Sequence, residues 1–217
     1  MKKGFIFDLD GVIVDTAKYH FLAWKQLANS LNIDFTEEDN EQLKGVSRVK
    51  SLEKILAWGH KTLSNTEFMQ LMVKKNNDYL NYIAMMNAKE ILPDVPKTLR
   101  RLKQQQQAIA LGSASKNART ILERVQLKTY FNAIVDGNDV NNAKPHPEVF
   151  LTAAKLLNIT PKHCIVFEDS VAGITAANTA NMLSIGIGNK MVLKHADYVF
   201  KDFTEISKEF LNTLISN

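Results

Sequence analysis

Five short apolar runs, Ala108 to Leu111, Ala133 to Val135, Cys164 to Phe167, Leu183 to Ile187 and Tyr198 to Phe200, alternate with stretches of helical periodicity through the second half of the chain. Strands separated by helices pair in parallel, and a parallel sheet needs helices on both faces. A sixth run, Gly4 to Asp8, precedes them and ends in Asp8-Leu9-Asp10-Gly11, which reads as a buried strand meeting an acidic loop. The expected fold class is therefore α/β, a Rossmann-like three-layer core around a parallel sheet. In such sheets function collects beyond the carboxyl ends of the strands.

The pattern changes between the first run and the others. Phe21, Trp24, Leu27, Ala28 and Leu31 recur at helical spacing, and no strand-like run interrupts the chain from Thr16 to about Ala88. Thr36 with Asp39 and Ser64 with Glu67 each place a hydroxyl three residues before an acid, the capping-box signature of a helix start. Ser47 offers a third start, ahead of Leu52, Ile55 and Leu56. About four helices that must pack a core of their own read as an inserted α-helical cap domain at 16–88. The turn Leu92-Pro93-Asp94-Val95-Pro96 closes it, leaving 1–15 plus 89–217 as the α/β core domain.

Composition bounds the function classes. Hydrophobic residues make up 45% of the 217 residues, enough to bury a core. The single cysteine, Cys164, cannot form an internal disulfide and sits in an apolar run where a buried thiol is the ordinary occupant. The basic N-terminal residues lead into an apolar stretch too short for a signal sequence, and no stretch is long enough to span a bilayer. A cytoplasmic protein with no membrane partner is expected. The net charge of +4 is scattered rather than gathered in a block, so nucleic acid is not the expected partner; small phosphate esters are anions that a few basic residues can hold. Gln104 to Gln107 reads as a solvated helix end, and His60, His146, His163 and His195 show no metal-ligand spacing.

The chemistry lies at strand ends. Asp8 and Asp10 crowd two carboxylates two residues apart, which a divalent cation, a proton on one of them, or both would relieve; alone they would read as turn and cap residues. Gly112-Ser113-Ala114-Ser115-Lys116-Asn117 follows a strand with small hydroxyl residues opening a helix, where hydroxyl and backbone N–H donors can hold a phosphate. Lys144 stands beside the stiff Pro145-His146-Pro147 turn, and Glu168-Asp169 sets two further acids after a strand. One supplies a cation, the other metal ligands.

In this order the four segments resemble the haloacid dehalogenase superfamily, whose pattern is Asp-x-Asp, then Ser or Thr, then Lys, then an acidic pair. The resemblance implies that Asp8 is the nucleophile that attacks phosphorus and Asp10 the general acid and base. It implies Mg²⁺ held by Asp8, Asp10 through its backbone carbonyl, Glu168 and Asp169, and Ser113 and Lys144 on the phosphoryl oxygens, with Ala114 and Ser115 in the same phosphate loop. Two stretches of the helical segment, Asp15 to Trp24 and Leu43 to Leu52, resemble the β-phosphoglucomutase family within it. That narrower resemblance implies interconversion of β-glucose 1-phosphate and glucose 6-phosphate through β-glucose 1,6-bisphosphate, in a monomer. It also implies a second phosphate site with contributions from Gly45, Val46, Ser47, Arg48 and Ser51, and from Lys116 and Asn117 across the cleft. His20, Lys75 and Asn76 match cap positions that face the cleft, Trp24 borders the sugar or packs in the core, and Thr16 matches the hinge. A sugar-phosphate or polyol-phosphate phosphatase shares the core motifs and is the alternative. A catalytically inactive sugar-phosphate binder should have lost Asp8, Asp10 or Lys144, and all three are present.

Overall fold

The computed structural model describes residues 2–44 and 46–216. Gly45, expected in the second phosphate site, lies outside them. The apolar runs form six parallel strands: β1 (Gly4–Phe7), β2 (Ala108–Gly112), β3 (Ala133–Val135), β4 (Cys164–Glu168), β5 (Leu183–Ile187) and β6 (Tyr198–Phe200). Their order is β3-β2-β1-β4-β5-β6, the doubly wound arrangement in which the chain leaves β1 in opposite directions. The crevice between β1 and β4 is the switch point.

Strand alternation divides the core in two. Phe5, Phe7, Ile109, Leu111, Ile165 and Phe167 face one side, against α5 (Val95–Gln104), α6 (Ala118–Arg124) and α9 (Lys208–Ser216). Ile6, Ala110 and Val166 face the other, against α7 (Glu148–Leu157) and α8 (Val171–Thr179). Period-two burial on both faces is what a sheet covered by two helical layers requires. Phe7 and Phe167 stack with ring centroids 4.6 Å apart, which locks β1 to β4 one residue before the acidic ends.

Four helices follow β1 ahead of α5: α1 (Ala17–Ser30), α2 (Glu37–Glu41), α3 (Arg48–Trp58) and α4 (Asn65–Ala84). Capping boxes form at Thr36–Asp39 and Ser64–Glu67, and the Ser47 hydroxyl accepts from the Lys50 N–H. Trp24, Leu27, Phe35, Leu52 and Ile55 make a cluster belonging to these helices, while Ala23, Tyr79, Ile83 and Met86 pack with the sheet's own apolar side chains. The segment is entered and left through paired backbone: the Asp15 N–H donates to the Glu90 carbonyl (2.9 Å) and the Leu92 N–H to that of Ile13 (3.0 Å). Among the described residues no helix is long and apolar enough to cross a membrane.

Candidate active site

Parallel register builds the site. Phe7 is level with Leu111 on β2 and Phe167 on β4, so Asp8 and Glu168 leave the sheet side by side. Lys144 reaches between them from the loop before α7, its Nζ donating to Asp8 Oδ1 at 2.5 Å and to Glu168 Oε2 at 2.7 Å. All three are buried. The ammonium also lies over the Phe150 ring, 4.8 Å from its centroid. Burial works against this charge, yet Asp8 and Glu168 hold it above the usual lysine range.

Glu168 is tethered at its other oxygen as well. Oε1 accepts from the Ser170 N–H (3.0 Å) and hydroxyl (2.7 Å), and the same hydroxyl caps α8 by accepting from Gly173 N–H (3.0 Å). A Cβ at position 173 would overlap the Glu168 carboxylate, so a glycine there makes room for it. At position 11 a Cβ would overlap the carboxylate of Asp169, and Gly11 also adopts φ +76°, which glycine tolerates best.

Asp8, Glu168 and Asp169 each present an oxygen within 4.8 Å of the others. Burial, only partly opposed by Lys144, raises the Asp8 carboxyl well above its usual range. Burial and the Glu168 charge push Asp169 up to about 8. Three carboxylates, those of Asp8 and Glu168 buried and that of Asp169 half-buried, form a hard-oxygen, electron-rich cluster that suits a small divalent cation. The donor set fits the metal that the sequence motifs imply.

Asp10 turns elsewhere. Its Oδ1 accepts a hydrogen bond from the Thr16 hydroxyl and lies 3.8 Å from His20 Nε2, so the carboxylate faces the start of α1. Burial raises this carboxyl, with the Thr16 bond opposing. Behind it, His20 Nδ1 sits 3.0 Å from Lys75 Nζ, and Lys75 packs over the rings of Trp24 (4.6 Å) and Tyr79 (4.7 Å). Burial and the Arg48 charge bring the Lys75 ammonium down to about 7. Burial, Lys75 and Arg48 together hold the His20 imidazolium well below its usual range. Trp24 is thus a buried wall beneath Lys75.

The loop expected to hold phosphate leaves β2 at Ser113, which is fully buried. Its hydroxyl accepts from the Ser115 N–H (3.0 Å), and the Ser115 hydroxyl from the Asn117 N–H (3.3 Å). Asn138 from the loop after β3 donates to the Lys116 carbonyl at 3.0 Å, bracing this turn from behind. Ala114 is half-buried and Lys116 exposed. Asn117 Nδ2 meets Asn76 Oδ1 at 3.3 Å, joining the loop to α4. Arg48 opens α3 next to Val46 and Ser47, with Ser51 buried one turn on.

Sequence reasoning gave no role to Lys44, whose Nζ lies 3.6 Å from Asp169 Oδ2, nor to Ser170, Gly173 or Tyr79. Lys44 had a signal, since it precedes the Gly45-Val46-Ser47-Arg48 stretch directly. Gly173 had none in sequence, being a glycine inside a helix.

An acidic cluster at the β1/β4 switch point, a lysine bridging two of its acids and a hydroxyl-lined loop beside it define a phosphoryl-transfer enzyme. The chain belongs to the haloacid dehalogenase-like hydrolase family, whose sequence profile matches residues 2–181. It is 42% identical to a β-phosphoglucomutase of Bacillus subtilis strain 168 over 97% of this chain and 94% of the relative. A β-phosphoglucomutase crystal structure from Clostridium difficile superposes with a TM-score of 0.95 at 42% identity, covering 100% of this chain and 98% of that one. A Thermotoga maritima phosphatase of phosphorylated carbohydrates is 30% identical over 82% of this chain and 81% of its own length.

Proposed function

We propose that this chain is a Mg²⁺-dependent β-phosphoglucomutase, interconverting β-glucose 1-phosphate and glucose 6-phosphate through β-glucose 1,6-bisphosphate and a phosphorylated Asp8. One observation carries the reading beyond the family: the two aspartates of Asp8-Leu9-Asp10 serve different neighbourhoods. Asp8 lies with Glu168, Asp169 and Lys144, whereas Asp10 is bonded to Thr16 and faces His20 and Lys75. A nucleophile held by the core and an acid/base wired to the helical segment suit an enzyme whose covalent intermediate must wait for a second hydroxyl.

In this scheme residues 16–88 act as the cap that closes over the crevice and excludes water, with Thr16 at the hinge. Asp8 attacks phosphorus while Ser113, the Ala114 N–H, the Ser115 hydroxyl and Lys144 hold the phosphoryl oxygens. Asp10 delivers a proton to the departing sugar oxygen and takes one from the incoming hydroxyl. Arg48, with Val46, Ser47 and Ser51, holds the phosphate that is not being transferred, aided by Lys116, Asn117 and Asn76; Arg offers the fork this requires. Asp8, Glu168, Asp169 and the Asp10 carbonyl are the residues that would hold Mg²⁺. When bound, the ion neutralises charge on the phosphoryl oxygens and acts there as a Lewis acid. A cytoplasmic monomer acting on small sugar phosphates completes the proposal.

The test is phosphorus NMR of purified protein with β-glucose 1-phosphate, Mg²⁺ and a trace of the bisphosphate. Glucose 6-phosphate should accumulate, and Asp10→Asn should lose most transfer while still binding Mg²⁺. Release of inorganic phosphate instead would assign the protein to the sugar-phosphate phosphatases, the reading that the Thermotoga relative favours.

A further inference from the structure

The loop after β3, Asp136-Gly137-Asn138-Asp139, is fixed by a network of its own. Asp136 is 1% exposed, and one of its oxygens accepts from the Arg119 guanidinium of α6. Arg119 donates as well to the Ile134 carbonyl (2.9 Å) and to the Asp139 carboxylate (2.8 Å). The other Asp136 oxygen accepts from the Asn138 N–H (2.8 Å) and side-chain amide (3.0 Å), and Asp139 closes the turn by accepting from the Asp136 N–H (2.8 Å). Charge-assisted bonds of this kind give the loop a rigid edge.

That edge meets the loop that leaves β2. The Gly137 N–H donates to the Ser115 carbonyl (3.3 Å), and Asn138 Nδ2 donates to the Lys116 carbonyl (3.0 Å). The Ala114 carbonyl lies so near Gly137 that a Cβ there would sit 2.4 Å from it. Three successive carbonyls, those of Ala114, Ser115 and Lys116, therefore face the β3 side. Across a trans peptide the following N–H points the opposite way, so the N–H groups of Ser115, Lys116 and Asn117 turn from β3 toward β1 and the crevice. Successive N–H groups aimed to one side make a cradle for an anion. The Ser115 N–H goes to the Ser113 hydroxyl and the Asn117 N–H to the Ser115 hydroxyl, whereas the Lys116 N–H has no protein acceptor among the described residues.

We infer that Asn138 is a positioning residue for the phosphate that is not being transferred: held by Asp136 and Arg119, its amide pins the Lys116 carbonyl and so keeps the Lys116 N–H aimed into the crevice. The inference rests on the function proposed above, in which Lys116 and Asn117 help Arg48 to hold that phosphate. In that scheme Arg48 arrives with the cap, while the brace belongs to the core, so the second phosphate has a fixed partner before closure. A contact to the phosphate that does not react is the same before and during transfer. It contributes uniform binding, which shows in KM rather than in kcat.

Steady-state kcat and KM of wild type, Asn138→Ala, Asn138→Asp and Arg119→Lys test this, with the melting temperature measured beside them. Asn138 is exposed, so both of its variants should melt within about 2 °C of wild type. Asn138→Ala should raise KM about tenfold for β-glucose 1-phosphate and for glucose 6-phosphate, because each in turn places its phosphate in the second site, and should hold kcat within about threefold. Asn138→Asp keeps the size but turns an acceptor toward the Lys116 carbonyl, and should raise KM at least as far. Arg119→Lys keeps a cation beside Asp136 without the fork, and should raise KM about threefold. A wild-type KM in Asn138→Ala overturns the inference. So does a lower kcat at unchanged KM, which a loop that only supports folding would give by reducing the active fraction. If wild type releases phosphate rather than glucose 6-phosphate, the mutase reading fails, and the same KM comparison is made on phosphate release from β-glucose 1,6-bisphosphate, whose second phosphate still needs a site. A wild type that does neither sinks both.

Discussion

Lys75→Met should make the protein more stable and less active, and the gain should depend on pH. The Lys75 side chain is buried, and its ammonium titrates at about 7 where a free lysine titrates at 10.5. That drop disfavours the charged form in the folded state by about 5 kcal/mol. At pH 7 half the sites are neutral, so the penalty is about 4 kcal/mol, and by pH 9 it is about 2 kcal/mol. Methionine keeps the length of the side chain but forfeits the contact with His20 Nδ1 and the cation contacts with Trp24 and Tyr79, together worth about 2 kcal/mol. The net gain at pH 7 is about 2 kcal/mol, or about 4–8 °C in melting temperature for a chain of this size. The direction with pH follows from proton counts: between 7 and 10.5 the unfolded lysine binds more protons than the folded one, so wild-type stability rises with pH across that window. The variant lacks this rise, and the gap should close by about 2 kcal/mol between pH 7 and 9. Titrating groups remote from Lys75 are common to both chains and cancel in the difference, whereas His20 and Asp10 feel the Lys75 charge and do not. Denaturation of both proteins at the two pH values is the assay, with KM for the sugar phosphate expected to rise tenfold or more in the variant. A less stable variant at pH 7, or a gap that does not change with pH, refutes the reasoning.

Two further outcomes follow from the acidic cluster. Asp169 titrates at about 8, so below that pH a proton must leave before its oxygen can bind a cation, and apparent Mg²⁺ affinity should weaken about tenfold per pH unit on acidification. Because the folded carboxyl holds its proton to a higher pH than the unfolded one, metal-free protein loses stability as pH rises from about 4 to 8, and the Mg²⁺-dependent gain in melting temperature should grow across the same window. Calorimetric titration at pH 6.5 and 8 checks this, and equal affinities would contradict it. Gly173→Ala drives a methyl into the Glu168 carboxylate and should displace it from Lys144, costing about 1–3 kcal/mol of stability and most of the turnover. Normal melting and normal kcat in that variant would show that Glu168 has room to move.

The sheet was legible because each strand is an apolar run bounded by turn chemistry, and parallel strands buried on both faces leave little else for such runs to do. The helix starts at Thr36, Ser47 and Ser64 were legible for a similar reason, since capping is written within four residues. What local sequence does not carry is which way a side chain turns. Asp8 and Asp10 look like one acidic pair, yet the chain bends at Leu9 between them, and the first lies with the β4 acids while the second turns toward α1. Ser170 and Gly173 shape the pocket of Glu168 only because α8 starts at the end of β4. Asn76 and Asn117 meet across a sequence separation of 41.

Charge gives the sharpest case of information lost in a sum. A net +4 spread along the chain says little, but the fold sorts it. The core's strand ends carry Asp8, Asp10, Glu168 and Asp169 against the single buried Lys144, whereas the helical segment turns Lys44 toward Asp169 and gathers Arg48 and Lys75 beside His20 and Asp10. Each half is poorly placed alone: the acids repel one another, and Lys75 sheds its proton near neutrality because burial, with the Arg48 charge behind it, opposes the ammonium. A phosphorylated sugar and a divalent cation carry the opposite charges to these two halves. Filling the crevice with both would relieve the acids and the bases at once, and the closure proposed for the helical segment would then depend on the reactants rather than on water.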